Sequence, residues 1–143
     1  NDGHWLVLCG PGNNGGDGYV LARLALKAGL EVTVCTLSEP ENLKGDAALA
    51  YTVWLAAGGE VVAWPLLENA PYDLIFANIL KGPLIGLAPE MGPAVKTGGY
   101  VILSGILNEQ ADAVIDVYCT NGFNLVQRDS IVDWTTLTLS KMP

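Results

Sequence analysis

Nine consecutive residues, Gly10-Pro11-Gly12-Asn13-Asn14-Gly15-Gly16-Asp17-Gly18, hold the densest concentration of chemistry in the chain. Gly10, Gly12 and Gly15 satisfy the spacing G-x-G-x-x-G. Glycines let a backbone turn tightly and approach a pyrophosphate or ribose with no Cβ in the way. A helix that starts behind such a loop offers free N–H groups and the positive end of its dipole. Asn13, Asn14 and Asp17 add side-chain donors and acceptors. The bland alternative is a polar strand–helix turn with Asp17 as an N-cap. The apolar run before the loop and the helical spacing after it favour a ligand cradle.

Asn78 is the second candidate. It ends an apolar run and would face the same ligand if that run lies beside the first strand; a plain strand-end turn residue is the competing reading. Glu39 follows the second strand, where dinucleotide-binding folds often place an acid for a ribose hydroxyl. It comes late, after Ser38, and a solvated loop charge is an equal reading. Trp54, Trp64 and Trp134 read as core or sheet-covering residues, not a base-stacking platform. Asp112 and Asp116, at i, i+4, read as a solvated helix face. The single histidine, His4, lacks the partners of a zinc site or a Ser-His-Asp triad. Cys9, Cys35 and Cys119 show no disulfide framework and no C-x-x-C spacing; Cys9 and Cys35 read as small buried hydrophobes in a reducing compartment.

The elements that must position these residues alternate along the chain. Strands are predicted at Trp5 to Cys9, Glu31 to Leu37, Glu60 to Trp64, Asp73 to Ala77 and Tyr100 to Leu103. Helices are predicted at Tyr19 to Ala28, at Gly45 to Ala57 with Ala48, Leu49, Thr52 and Leu55 facing the sheet, and at Asn108 to Asn121 with Asn108 as N-cap. Pro83 to Lys96 reads as a helix broken or kinked by Pro89 and Pro93. Phe123 to Arg128 and Trp134 to Leu139 are two final strands; their link, Asp129 to Asp133, is too short for a helical crossover, so they pair antiparallel.

This pattern predicts one doubly wound α/β domain over residues 1–143, a Rossmann-like three-layer α/β/α sandwich. The sheet is mostly parallel, in the order 3-2-1-4-5-7-6 with an antiparallel last strand. Its switch point, between strands one and four, is where open α/β sheets bind ligands. Half of the 143 residues are apolar, enough for a two-faced core. A formal charge of −8 argues against a nucleic-acid surface. No apolar run is long enough to span a bilayer, and no signal-peptide pattern opens the chain.

Two family resemblances divide the chain. Trp5 to about Val62 resembles the epimerase of hydrated NAD(P)H, NAD(P)HX. The likeness rests on Val7-Leu8-Cys9, the glycine-rich run, Tyr19-Val20-Leu21-Ala22-Arg23, and Trp-Leu-x-x-Gly-Gly at Trp54 to Gly59. The resemblance implies that Gly10, Gly12, Asn13, Asn14, Gly15, Gly16 and Asp17 bind nucleotide phosphates and that Asn14 helps hold potassium. Tyr72 to about Lys141 resembles the ribosomal-protein methyltransferase that modifies a stalk-base protein of the large subunit. That likeness rests on Asp73-Leu74-Ile75-Phe76-Ala77-Asn78-Ile79-Leu80-Lys81-Gly82-Pro83-Leu84, Leu87-Ala88-Pro89, Gly98-Gly99 and Leu103-Ser104-Gly105-Ile106-Leu107-x-x-Gln110-Ala111. It implies that Asn78 contacts S-adenosylmethionine.

Each resemblance covers half of a catalytic domain, and the join falls near 65–71. Gene fusions usually join whole domains through linkers. A crossover inside one sheet reads as an engineered chimera of two Rossmann-like halves. The epimerase's later Asp-x-Pro-Ser-Gly run, with its catalytic acid, is absent from these residues. So is the methyltransferase's own glycine-rich loop after strand one. The expectation is a scaffold with no complete catalytic site that retains weak binding of a small anion, an adenine nucleotide, an NAD(P)HX-type nucleotide or S-adenosylmethionine. Epimerase activity, or methyl transfer to protein, is the alternative. Nucleic-acid and membrane partners are not expected. Exposed apolar surface would allow a dimer, and both parent families imply a cytoplasmic setting.

Overall fold

Strand order follows from where the apolar runs can find neighbours. The computed structural model describes residues 3–9, 13–36, 45–59, 61–63, 72–79 and 81–143. Its elements are β1 His4–Cys9, α1 Asn13–Lys27, β2 Glu31–Thr36, α2 Gly45–Ala56, β3 Val61–Ala63, β4 Tyr72–Asn78, α3 Lys81–Ala94, β5 Val95–Leu107, a 3₁₀ turn at Asn108–Gln110, α4 Ala111–Thr120, β6 Phe123–Ile131 and β7 Trp134–Lys141. The strands form one seven-stranded sheet in the order β3-β2-β1-β4-β5-β7-β6. β1 to β5 pair in parallel, and β7 runs antiparallel to both β5 and β6. This is the order expected from the sequence.

Side-chain alternation splits the core into two faces. Leu6 and Leu8 join a large cluster with α3, α4 and the inward residues of β5 and β7. Val7 and Cys9 join a smaller cluster with Tyr19, Ala22 and Ala25 of α1 and Trp54 of α2. Leu84, Leu87, Ala88 and Met91 of α3 are buried, as their spacing predicts; Val95, expected on the same helix, is buried as the first residue of β5. Tyr118 of α4 donates its hydroxyl to the Leu84 carbonyl of α3 at 2.8 Å, which satisfies a buried polar group and ties the two helices together.

Several expectations need correction. Helix α1 begins at Asn13, so Asn13 to Gly18 are helical and not loop. Gly18 permits this: a Cβ there would lie 2.7 Å from the Cys9 sulfur, so only glycine lets α1 sit this close to β1. Helix α2 turns a different face inward. Trp54 is fully buried, whereas Leu49 is 63% and Leu55 44% exposed. α2 is apolar on most sides, so periodicity offers no unique buried stripe, and the largest ring takes the sheet. Helix α3 is not broken: it runs from Lys81 to Ala94 with Pro89 and Pro93 inside it. β6 runs on to Ile131, because its pairing with β7 continues, past a register shift between Leu125 and Gln127, up to Ile131 opposite Trp134. The link is therefore only Val132 and Asp133. Trp134 is half exposed at the sheet rim and not core. Trp64 lies outside the described residues, as does the span 65–71 proposed for the join.

Candidate functional site at the switch point

The carboxyl ends of β1, β4 and β5 form one rim. Cys9 ends β1 directly beside Asn78 of β4, and Asn78 pairs in turn with Ser104 of β5. β1 ends at Cys9 and α1 begins at Asn13. The register thus sets Asn78 beside the carboxyl end of β1. Gly10 and Gly12 lie outside the described residues. The backbones of Asn13, Asn14, Gly15, Gly16 and Asp17 form the start of α1, so its N-terminal turns open at this rim. Their side chains, and Glu39, lie outside what is described.

Asn78 carries the main electrostatic feature. Its Oδ1 is buried, and among the described residues no hydrogen-bond partner reaches it. A buried carbonyl oxygen without a donor costs about 1–3 kcal/mol. Sequence reasoning missed Gly105, which shapes the space beside that oxygen. Gly105 has φ +80, and a Cβ there would lie 2.5 Å from Asn78 Oδ1. The glycine is required twice, by conformation and by proximity. Its signal in sequence was Ser-Gly directly after a strand.

Other groups near the rim are chemically quiet. Burial pushes the Cys9 thiol well above its usual range, with the Cys35 sulfur adding to the shift, so Cys9 is no nucleophile at neutral pH. Burial also pushes Cys35 up, to about 12. Asp112 is exposed and pairs with Arg128 at 2.8 Å, which fits a solvated face. Asn108 does not cap α4 as expected. Its Nδ2 donates to the Val132 carbonyl and its Oδ1 accepts from Thr135 Oγ1, while Gln110 Oε1 accepts the Leu107 N–H. The β6–β7 turn lies within its reach and takes the side chain that a cap would use.

His4 sits at the opposite end of β1. Its Nε2 is 2.9 Å from Thr33 Oγ1, and its ring meets Tyr72 edge-on. Among the described residues no cluster of three or more His, Cys, Asp or Glu could hold a metal. No helix among them is long and apolar enough to cross a membrane.

The family model for Ribosomal protein L11 methyltransferase (PrmA) matches residues 41–142. The chain belongs to that family. The ribosomal protein L11 methyltransferase of Caulobacter sp. (strain K31) is 38% identical over 129 residues, covering 85% of this chain and 44% of that protein. The likeness to the L11 methyltransferases therefore reaches upstream of 65–71. The first half also matches a second group. The bifunctional NAD(P)H-hydrate repair enzyme Nnr of Escherichia coli (strain K12) is 56% identical over 87 residues, 61% of this chain and 17% of that protein. Both resemblances drawn from the motifs are thus present in one chain. It spans less than half the length of each of these relatives. In fold it is similar to the crystal structure of ribosomal protein L11 methylase from Lactobacillus delbrueckii subsp. bulgaricus. The TM-score is 0.76 at 22% identity, over the whole of this chain and 72% of that one.

Proposed function

We propose that the crevice between β1 and β4 binds an adenosine-containing ligand, S-adenosylmethionine first among them, and that these residues hold no complete catalytic set of either parent group. The orphaned Oδ1 of Asn78 carries the reading. It needs a donor, and an amine or hydroxyl on a ligand in the crevice would supply one. Gly105 keeps the approach to that oxygen clear of a side chain. The start of α1 would present backbone N–H groups and the positive end of the helix dipole to an anionic group of the same ligand. S-adenosylmethionine would bring an activated methyl group; Asn78 would orient the ligand and transfer nothing.

The chain combines an epimerase-like glycine-rich run with a methyltransferase-like β4 and β5. We read it as a chimera of two Rossmann-like halves joined near 65–71. The test is isothermal titration with S-adenosylmethionine, NADPH and AMP. Saturable heat with S-adenosylmethionine, lost in Asn78→Ala, is expected. No saturable heat with any of the three at about millimolar concentration, roughly −4 kcal/mol of binding, would sink the proposal.

The 56% identity to the NAD(P)H-hydrate repair enzyme favours a second reading. In it the Asn13-Asn14-Gly15-Gly16-Asp17 run binds an NAD(P)HX-type nucleotide, and Asn14 holds potassium. It predicts potassium-dependent interconversion of the hydrate epimers, abolished by Asn14→Ala. Incorporation of labelled methyl into protein would instead establish a transferase.

A further inference from the structure

The tip of the β6–β7 hairpin is built unlike an ordinary turn. A two-residue hairpin link favours Asn or Gly, because it needs positive φ. Here the link is Val132-Asp133, and Val132 has φ 55. A β-branched residue in that region is an outlier. Burial does not account for it, since Val132 is 84% exposed. Ile131 is 76% exposed and lies directly across from Trp134, which is 52% exposed, so these two share one sheet face. Three large apolar side chains thus project together at the rim.

Hydrogen bonds hold the tip in this shape. Asn108 Nδ2 donates to the Val132 carbonyl at 2.8 Å, and the Asn108 backbone N–H donates to the Asp133 carbonyl at 3.0 Å. Thr135 Oγ1 donates to Asn108 Oδ1 at 2.6 Å and also meets Ser130 Oγ at 3.0 Å. The apolar group is therefore presented on a fixed backbone, which lowers the entropy lost on binding.

The charges on its face are acidic. Exposed Asp129 and Asp133 lie on the hairpin beside Ile131 and Trp134. Arg128, paired with Asp112 at 2.8 Å, is on the opposite face of the sheet from Ile131 and Trp134. Asp129 shares the face of Ile131 and Trp134, and its carboxylate is oriented by Gln127 Nε2 at 2.7 Å. An acidic border repels a second copy of the same tip, a nucleic acid and an anionic lipid surface.

We propose that this tip is a docking knob for another polypeptide, one that offers an apolar pocket rimmed by lysine or arginine. The proposal does not depend on what the crevice binds. It is tested on the full chain by NMR titration with a short amphipathic peptide of leucine and lysine. Expected are amide shifts concentrated at Ile131 to Thr135 and at Asn108. Affinity should fall about tenfold or more in Ile131→Ser/Trp134→Ser. It should also fall in Asp129→Asn/Asp133→Asn, and on raising salt from about 50 to about 500 mM. Both double variants alter solvent-facing groups, and unchanged melting would show that they fold.

Equal affinity in the Ile131→Ser/Trp134→Ser protein overturns the proposal, as do shifts centred elsewhere. So does equal binding of a leucine–glutamate peptide. Preferential capture by vesicles of phosphatidylcholine and phosphatidylglycerol would point to a membrane surface. Self-association abolished by the same substitutions would point to a second copy. Either result overturns the proposal.

Discussion

Adding one methyl group at Gly105 tests the geometry of the crevice directly. Gly105 has φ +80, and alanine in left-handed backbone costs about 1–2 kcal/mol. The new Cβ would also lie 2.5 Å from Asn78 Oδ1. That is well inside van der Waals contact, and overpacking of this kind costs about 1–3 kcal/mol. Gly105→Ala should therefore lose about 2–5 kcal/mol in the parent chain, roughly 8–20 °C of melting temperature for a chain of this size. Asn78→Ala removes the obstructing oxygen along with its unmet hydrogen bond. By itself it should leave stability unchanged or raise it by up to about 1–3 kcal/mol without ligand, because the buried oxygen's unmet hydrogen bond goes with it. In the Asn78→Ala background, Gly105→Ala should cost only the conformational part, about 1–2 kcal/mol. The four proteins close a double-mutant cycle with a coupling of about 1–3 kcal/mol. Urea unfolding followed by tryptophan fluorescence reads it out. Equal losses in the two backgrounds would refute the contact between Gly105 and Asn78, and with it the account of how the orphaned oxygen is kept clear.

Two further outcomes follow from burial and charge. Native protein treated with iodoacetamide near neutral pH should take up one label, at the exposed Cys119. Cys9 and Cys35 are buried, with thiols held protonated by burial, and should react only after denaturation. Mass spectrometry of digested peptides checks this, and fast native labelling of Cys9 would contradict its placement between β1 and α1. Asp73 accepts the backbone N–H of His4 at 2.8 Å and pairs with Lys96 at 3.2 Å, and both interactions hold its carboxyl below the usual range. Its folded value thus lies below its unfolded value of about 3.9, so its stabilisation is present above that pH and lost as pH falls through the folded value. Asp73→Asn should be less stable than the parent at about pH 7, and the gap should close toward about pH 3. A gap that is independent of pH would remove Asp73 from the acid limb.

The rim where β1 and β4 end was legible in sequence because two local signals mark it. The glycine-rich run must follow a strand and open a helix. Asn78 must end an apolar run. Once β1 and β4 are neighbours, their register leaves Asn78 beside Cys9, the last residue before that run. Where α1 begins was not legible. Glycines at 15, 16 and 18 weaken helix propensity locally, and close packing of Gly18 over Cys9 outweighs that. The inward face of α2 was hidden for a related reason: an almost uniformly apolar helix carries no phase, so the fit of Trp54 against the sheet chose it.

The sequence by itself determined the class of fold, the strand order, the antiparallel return of β7, the buried stripe of α3 and the double family likeness. Alternation of apolar runs, handed connections and link lengths leave few arrangements open to such a chain. Only the tertiary structure decided what Asn78 lacks, what Gly105 leaves clear, and where Asn108 spends its hydrogen bonds. Each depends on atoms from strands distant in sequence meeting within a few ångströms. Asn78 and Gly105 are 27 positions apart in the chain, and it is the β4–β5 register that sets one beside the other.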